Sequence, residues 1–436
     1  MSRSTLSLKQ HLKPILAVIM SIFCIGMILL SPVKAQIQNP LTPSDVRTAY
    51  DVNALIQSGY TGKGVTVAIV GEGVGPTFTA DVEEFSGKYG LPSPSISVVK
   101  PFGSGGDSST WDEVTGDTEM VHAMAPDAKI LLVLVGAQDV PEGFSYVIDH
   151  NAADVATMSF YWYWYGSGSS GTVWSYNEEY AEAVSESITL ISGSGDFGSN
   201  NTVPRHALGT PISGAFWTQY LPNAYLDIPE YSPYVTIVGG TALTVQSGAY
   251  SEVGWTQSGG GPSRLFPEPS WQTGLGVPEN GFRNIPDIAL DASCSTPYAI
   301  DWNNDQETWM CGTSMSAPTF AGIIADIDQA AGERVGFLNP TLYTLAASDP
   351  SVYHPITSGC SLVEVGTSTT NGYCAHAGWN FVTGWGSIDA AKLAMHLAPS
   401  AHILIPEFPI DASVTVATTI AIVALLSRKR RIRTEQ

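Results

Sequence analysis

Cys311-Gly312-Thr313-Ser314-Met315-Ser316-Ala317-Pro318, running into the apolar stretch Thr319-Phe320-Ala321-Gly322-Ile323-Ile324-Ala325, decides how the rest of the chain is read. Gly312 lets the backbone turn tightly, and Pro318 fits the first turn of a helix, where a missing N–H removes no helical hydrogen bond. The stretch predicts a helix with Ser314 at its amino end. Free N–H groups and the helix dipole favour developing negative charge there. A serine hydroxyl so placed suits a nucleophile beside half of an oxyanion hole. A bare Gly-Thr-Ser is more often a plain helix cap, so the partners of Ser314 decide between the two.

Composition bounds what those partners serve. The chain has 436 residues, 44% hydrophobic and 14% charged, with 43 glycines, which suits an extracellular α/β or β-rich protein with one large core. Arg3, Lys9 and Lys13 precede the apolar run Pro14 to Leu30, and Val33-Lys34-Ala35 offers a small-residue cleavage site. Residues 1–35 therefore read as a secretory signal, with the mature chain beginning near Gln36. At the other end, Ala412 to Leu426 is apolar and is followed by Arg428-Lys429-Arg430-Arg431-Ile432-Arg433. That run is shorter than the roughly 20 residues of a spanning helix, but the basic cluster suits a cytoplasmic flank. Residues 401–436 are expected to form a membrane anchor or sorting tail, with residues 36–400 as the folded domain outside.

Removing both ends sharpens the charge. Of the 19 Lys and Arg, four lie in the signal and five in the tail, leaving ten bases against 39 acids over residues 36–427, a net charge of −29. Such a surface repels phosphate backbones, which excludes nucleic acid as a partner. Outside the signal remain Cys294, Cys311, Cys360 and Cys374, an even number that suggests two disulfides, most simply 294–311 and 360–374.

Leu41 to Tyr60 reads as helical, and Val65-Thr66-Val67-Ala68-Ile69-Val70 as a strand buried on both faces of a parallel sheet. The loop Gly71-Glu72-Gly73 lies at its carboxyl end, where open α/β sheets place their chemistry. Trp111 to Met124 reads as a helix ended by Ala125-Pro126, and on it Glu113 and Asp117 share one face at i, i+4. Two close carboxylates share a proton and raise one pKa, which suits a general base for a serine in acid. A lone Glu-x-x-x-Asp is more often a solvated acidic face. His122, about 180° around the helix from Glu113 and about 140° from Asp117, faces away and reads as a packed histidine.

Asp154 to Ser159 is a second buried strand, leading into six aromatics, Phe160 to Tyr165, that either pack the core or wall a cleft. Asn177 to Ser187 reads as a helix, followed by a strand that runs into Ser194-Gly195-Asp196. Asp196 is a turn aspartate or an oxyanion donor, and the second role requires it protonated. Tyr234 to Thr241 is a strand with a glycine turn at Gly239-Gly240.

In this order, Glu113-x-x-x-Asp117-x-Glu119, Ser194-Gly195-Asp196, Val238-Gly239-Gly240-Thr241, Ser258-Gly259-Gly260-Gly261-Pro262-Ser263 and Gly312-Thr313-Ser314-x-x-x-Pro318 resemble the sedolisin family, the serine-carboxyl peptidases, from about Leu41 to Leu393. The resemblance implies a subtilisin-like α/β fold, a parallel sheet with helices on both faces. It implies Ser314 as nucleophile, Glu113 as general base, Asp117 as the carboxyl that orients Glu113, and Asp196 as protonated oxyanion donor. The expected activity is a secreted, membrane-tethered serine-carboxyl endopeptidase, monomeric, acting on polypeptides in acid and requiring no cofactor. The alternatives are a tripeptidyl-type exopeptidase and a catalytically silent surface module on the same fold.

The chain departs from the family in three places. The large amino-terminal pro-region is not expected between the signal and the domain. Gly71 stands where the subtilisin triad has its aspartate, and Glu72 lies one position late for the outer acid found in some members. The calcium loop has Pro355 and Asn380 where aspartates are usual and His376 for a glycine, so the site is expected to be degraded, with a Cys360–Cys374 disulfide bracing the loop instead.

Overall fold

The structure, a computed structural model, describes residues 39–404 apart from 104–110, 137–139, 161, 165–169, 200–224, 247–248, 305 and 366–367. The expected signal and the tail from residue 405 lie outside these residues, as do two of the six aromatics. No helix among the described residues is long and apolar enough to cross a membrane.

Strands Thr66–Gly71 (β1), Ser95–Val99 (β2), Lys129–Leu134 (β3), Val155–Met158 (β4), Thr189–Gly193 (β5), Thr236–Gln246 (β6) and Ile288–Asp291 (β8) run parallel in the order β8-β6-β5-β4-β1-β3-β2, while Ala249–Gly254 (β7) turns back antiparallel on β6. β1 shows why the sheet is buried on both sides. Its Val67 and Ile69 enter one core, and Ala68 and Val70 enter the other. Such a strand needs helices on each face.

Helices Pro43–Ala49 (α1), Val52–Gln57 (α2) and Phe78–Tyr89 (α3) lie on the first face with Trp111–Met124 (α4). Val140–Asp149 (α5) and Ser170–Ser185 (α6) cover the second through Phe144, Val147, Val173 and Tyr180. Thr313–Ala331 (α7) returns to the first face through Phe320, Ile323, Ile324 and Ile327. The implied subtilisin-like α/β architecture is therefore present. Both simplest disulfides also form, Cys294–Cys311 and Cys360–Cys374.

Three local expectations are corrected. The segment Leu41 to Tyr60 is two helices, broken at Asp51, whose φ of 57° is left-handed, a conformation that Asp tolerates. α6 starts at Ser170, seven residues before the expected Asn177, because Val173 gains a place in the second core despite the Ser/Gly-rich start. β6 runs straight through Gly239-Gly240 without turning. A methyl group on Gly240 would stand 2.6 Å from Trp255, so the glycines admit neighbours rather than bend the chain.

Candidate active site

α4 and α7 lie side by side with their amino ends together. A methyl group on Gly116 would meet Met315 at 2.9 Å, and one on Gly322 would meet Met124 at 2.7 Å, so rising residue numbers on one helix match rising numbers on the other. Two parallel helices in contact bring Glu113 and Asp117, in the first two turns of α4, beside Ser314, the second residue of α7. The carboxyl end of β1 explains why the acid comes from a helix. A side chain at Gly71 would strike Val114 of α4 at 2.3 Å, leaving no room for an aspartate there.

Ser314 hydrogen-bonds the Glu113 side chain. Oε1 of Glu113 and Oδ2 of Asp117 are buried and have no hydrogen-bond partner among the described residues. Burial first, and Asp117 second, hold the Glu113 carboxyl well above the usual range, against the Ser314 hydrogen bond. Burial likewise raises Asp117, against a hydrogen bond from Ser159. One proton held by the pair relieves both orphaned oxygens while leaving one negative charge to accept the Ser314 proton.

Ser159 escaped the sequence reading. Its hydroxyl lies 2.8 Å from Asp117 Oδ1 and 3.1 Å from the Ser314 carbonyl oxygen. That carbonyl is available because of Pro318. The proline is the sixth residue of α7, in its second turn and not its first as expected, so it offers no N–H to the carbonyl four residues back. The position costs the helix a hydrogen bond, and Ser159 occupies the freed acceptor. One small side chain thus links the carboxyl pair to the backbone of Ser314.

Asp196 stands after the carboxyl end of β5. Its Oδ1 accepts the Thr313 N–H at 2.8 Å and the Thr313 hydroxyl at 3.0 Å. Oδ2 lies toward Gly312, where a Cβ would come within 2.7 Å of it; with φ at 113°, Gly312 is required both for conformation and for room. Burial raises the Asp196 carboxyl, while the two Thr313 hydrogen bonds oppose the rise. With a proton on Oδ2 it would be a hydrogen-bond donor, and it lines the same small recess as Ser314. His122 is fully buried, its Nε2 2.8 Å from the Pro92 carbonyl oxygen, packed as its helix face suggests.

Asn380 uses its side-chain oxygen to accept Val382 N–H at 3.0 Å and Thr383 N–H at 3.0 Å, and its Nδ2 reaches the His376 carbonyl at 3.3 Å. Asp51, His354 and Asp389 form a group with ligand atoms within 4.8 Å of one another. Both Asp389 oxygens already bind Lys392, at 2.9 Å to its N–H and 2.7 Å to its ammonium, so this is an ion-paired helix cap.

A parallel sheet covered on both faces, with serine and carboxyl groups at the amino ends of two adjacent helices, defines a subtilisin-like α/β protein. No family model matches the chain. It is 32% identical to kumamolisin of Bacillus sp. (strain MN-32) over 383 residues, 83% of this chain and 64% of that protein. To sedolisin of Pseudomonas sp. (strain 101) it is 30% identical over 379 residues, 81% and 61% of the two chains. Tripeptidyl-peptidase 1 of Canis lupus familiaris is 29% identical over 69% of this chain and 50% of that protein. The chain thus spans a little under two thirds of the first two curated relatives it matches. The solved structure of Pseudomonas sedolisin, a serine-carboxyl proteinase complexed with pseudo-iodotyrostatin, superposes with a TM-score of 0.70 and 28% identity, covering 83% of this chain and 99% of that one. The chain belongs to the sedolisin family.

Proposed function

We propose that this protein is a serine-carboxyl endopeptidase that hydrolyses polypeptides in acid. The observation that carries the reading is the meeting of Ser314 with a buried, proton-sharing carboxyl pair, with Asp196 facing the same space. Ser314 Oγ attacks the scissile carbonyl carbon as Glu113 takes its proton, and Asp117 holds Glu113 in place. Asp196, protonated, and the Ser314 N–H donate to the tetrahedral oxyanion. Glu113 then returns its proton to the leaving amine, and water repeats the sequence on the acyl-enzyme.

Calcium has no part in this reading. Pro355 offers no side-chain oxygen, and the Asn380 oxygen is committed to neighbouring amides, so these residues do not suit a calcium ion. The Cys360–Cys374 bridge closes the same region. A closed loop of that length contributes on the order of 3 kcal/mol by restricting the unfolded chain.

Two disulfides and the signal-like first 35 residues support export, and the apolar, base-ended tail supports tethering at the cell surface. A monomer suffices, because all four site residues come from one chain. Similarity to tripeptidyl-peptidase 1 supplies a second reading, removal of short peptides from free amino termini. The test is an unfolded protein substrate with every amino terminus acetylated, digested in acid and read by mass spectrometry. Internal cleavage is expected; digestion only when the termini are free, in three-residue steps, would establish the exopeptidase instead.

A further inference from the structure

The end of the domain opposite Ser314 holds a cavity of about 320 Å³, within the usual size of small-molecule sites. It lies between Lys63 to Val65, which lead into β1, Asp154 before β4, and the last turn of α7 with the loop that follows it. Asp328 on that turn is 14 residues beyond Ser314, about 21 Å along the helix. A Cβ added at Gly64 or Gly332 would meet nothing within 4 Å, so both glycines border open space.

Most polar groups around the cavity are bonded within the fold. Asp154 accepts the Thr66 N–H at 2.7 Å with one oxygen and Arg334 Nε at 2.7 Å with the other. Arg334 Nη1 reaches Asn151 Oδ1 at 2.5 Å and the Glu186 carbonyl at 3.1 Å. Gln329 accepts the Thr61 N–H at 2.7 Å and the Lys63 N–H at 2.9 Å. Asp328 is different. It is 3% exposed, and its Oδ1 accepts the Val335 N–H at 2.8 Å, but its buried Oδ2 has no hydrogen-bond partner among the described residues. Arg334 Nη2 and the exposed Lys63 ammonium are likewise not engaged by any described residue.

An orphaned buried carboxyl oxygen is costly unless something meets it. Burial raises the Asp328 carboxyl to about 8; Asp154 adds to the rise, and the Val335 N–H and Arg334 oppose it. Below that pH Oδ2 carries a proton and is a donor without an acceptor. A neutral donor beside a guanidinium and an ammonium suits an anion with oxygen acceptors. The carboxyl end of α7 would favour a cation, but its Asp328 and Gln329 carbonyls already accept the Gly332 N–H at 2.9 and 3.3 Å, and the two positive side chains would repel one. Residues 36–427 hold only ten bases against 39 acids, yet two of the ten line this cavity. The one further acid on the lining, Glu333, is exposed to solvent. A carboxylate matches this set: one oxygen can take the Asp328 proton in a strong O–H···O⁻ bond, and the other can take the two cations. We infer that this cavity binds the carboxylate of a small organic acid or of a peptide's carboxyl end, held by Asp328, Arg334 and Lys63.

Calorimetry on the full-length protein at about pH 6 tests this with propionate, an N-acetylated dipeptide with a free carboxyl end, and the same dipeptide amidated. Both acids are expected to bind, and the amide is not. Lys63→Ala, a change at an exposed residue far from Ser314, should weaken both acids about tenfold. At about pH 9 the wild type should bind them about tenfold more weakly, because Asp328 has lost its proton. Asp328→Asn keeps an acceptor for Val335 and a donor at every pH, so its binding should be the same at both pH values. Melting curves of the two variants exclude misfolding. A dipeptide bound more tightly than propionate assigns the site to peptide ends; any other order of the two assigns it to small free acids. Amide binding as tight as acid binding, acid binding unmoved by Lys63→Ala, a loss at high pH that persists in Asp328→Asn, or tighter binding of inorganic phosphate overturns the inference. None of these outcomes depends on whether Ser314 cleaves peptides.

Discussion

Replacing Ser314 by alanine is expected to lower kcat on an unfolded protein by roughly 10⁴-fold or more, with the melting temperature nearly unchanged. The magnitude follows from the role: without the hydroxyl there is no acyl-enzyme, and only oxyanion stabilisation and binding remain. The small structural cost follows from the geometry. Ser159 contacts the Ser314 backbone carbonyl, which alanine keeps, and the hydroxyl itself bonds only within the site. Removing it frees Glu113 from the hydrogen bond that favours its ionised form, so the carboxyl pair should hold its proton to higher pH. A variant that keeps a tenth of the activity would exclude Ser314 as nucleophile. A folded wild type with no turnover would favour the silent surface module.

The second large effect concerns Asp196 and carries a sign. A carboxyl donates only while protonated, and burial raises its pKa, so activity is present below that raised pKa and is lost as pH climbs through it. The carboxyl pair sets the opposite limb, because one of its protons must leave before Glu113 can act as base. The wild type is therefore expected to show a bell-shaped profile centred in acid and falling toward neutral pH. Asp196→Ala should lose about 10²–10³ in kcat across the profile. Asp196→Asn should behave differently: its amide oxygen can keep the Thr313 bonds, and its NH₂ donates at every pH. The falling limb should then move upward by a pH unit or more. An unmoved limb in Asp196→Asn would assign that titration to Glu113 and Asp117.

The sequence makes some of this arrangement plain because local rules and the final fold agree. Val67 to Val70 is apolar at every position and Thr66 is the one polar residue after Val65, so the run reads as a strand covered twice. Gly312 to Pro318 signals a turn into a helix, and Glu113 and Asp117 share a face by helical spacing alone. Other parts depend on contacts distant in the chain. Ser159 is an unremarkable serine at a strand end, and its importance arises only when Pro318 frees the Ser314 carbonyl 155 positions away. Pro318 itself was misplaced by a turn because proline usually marks the first turn, and the compensating donor comes from another element. Gly239 and Gly240 read as a turn because open space around a glycine and close packing against it look alike in a sequence. Gly71 could be read as the loss of a familiar aspartate, but only Val114 shows why the position must stay empty.

The central claim, that Ser314 carries the acyl group with carboxyls as its only activating partners, is tested most directly by trapping the intermediate. Wild type and Ser314→Ala are mixed with activated esters of several different amino acids at the acid optimum, quenched within milliseconds, digested and mapped by mass spectrometry. An acyl adduct on the peptide containing Ser314, absent from the alanine variant and formed fastest in acid, is the predicted result. Turnover with no adduct at Ser314, or with the adduct on another residue, would contradict the account.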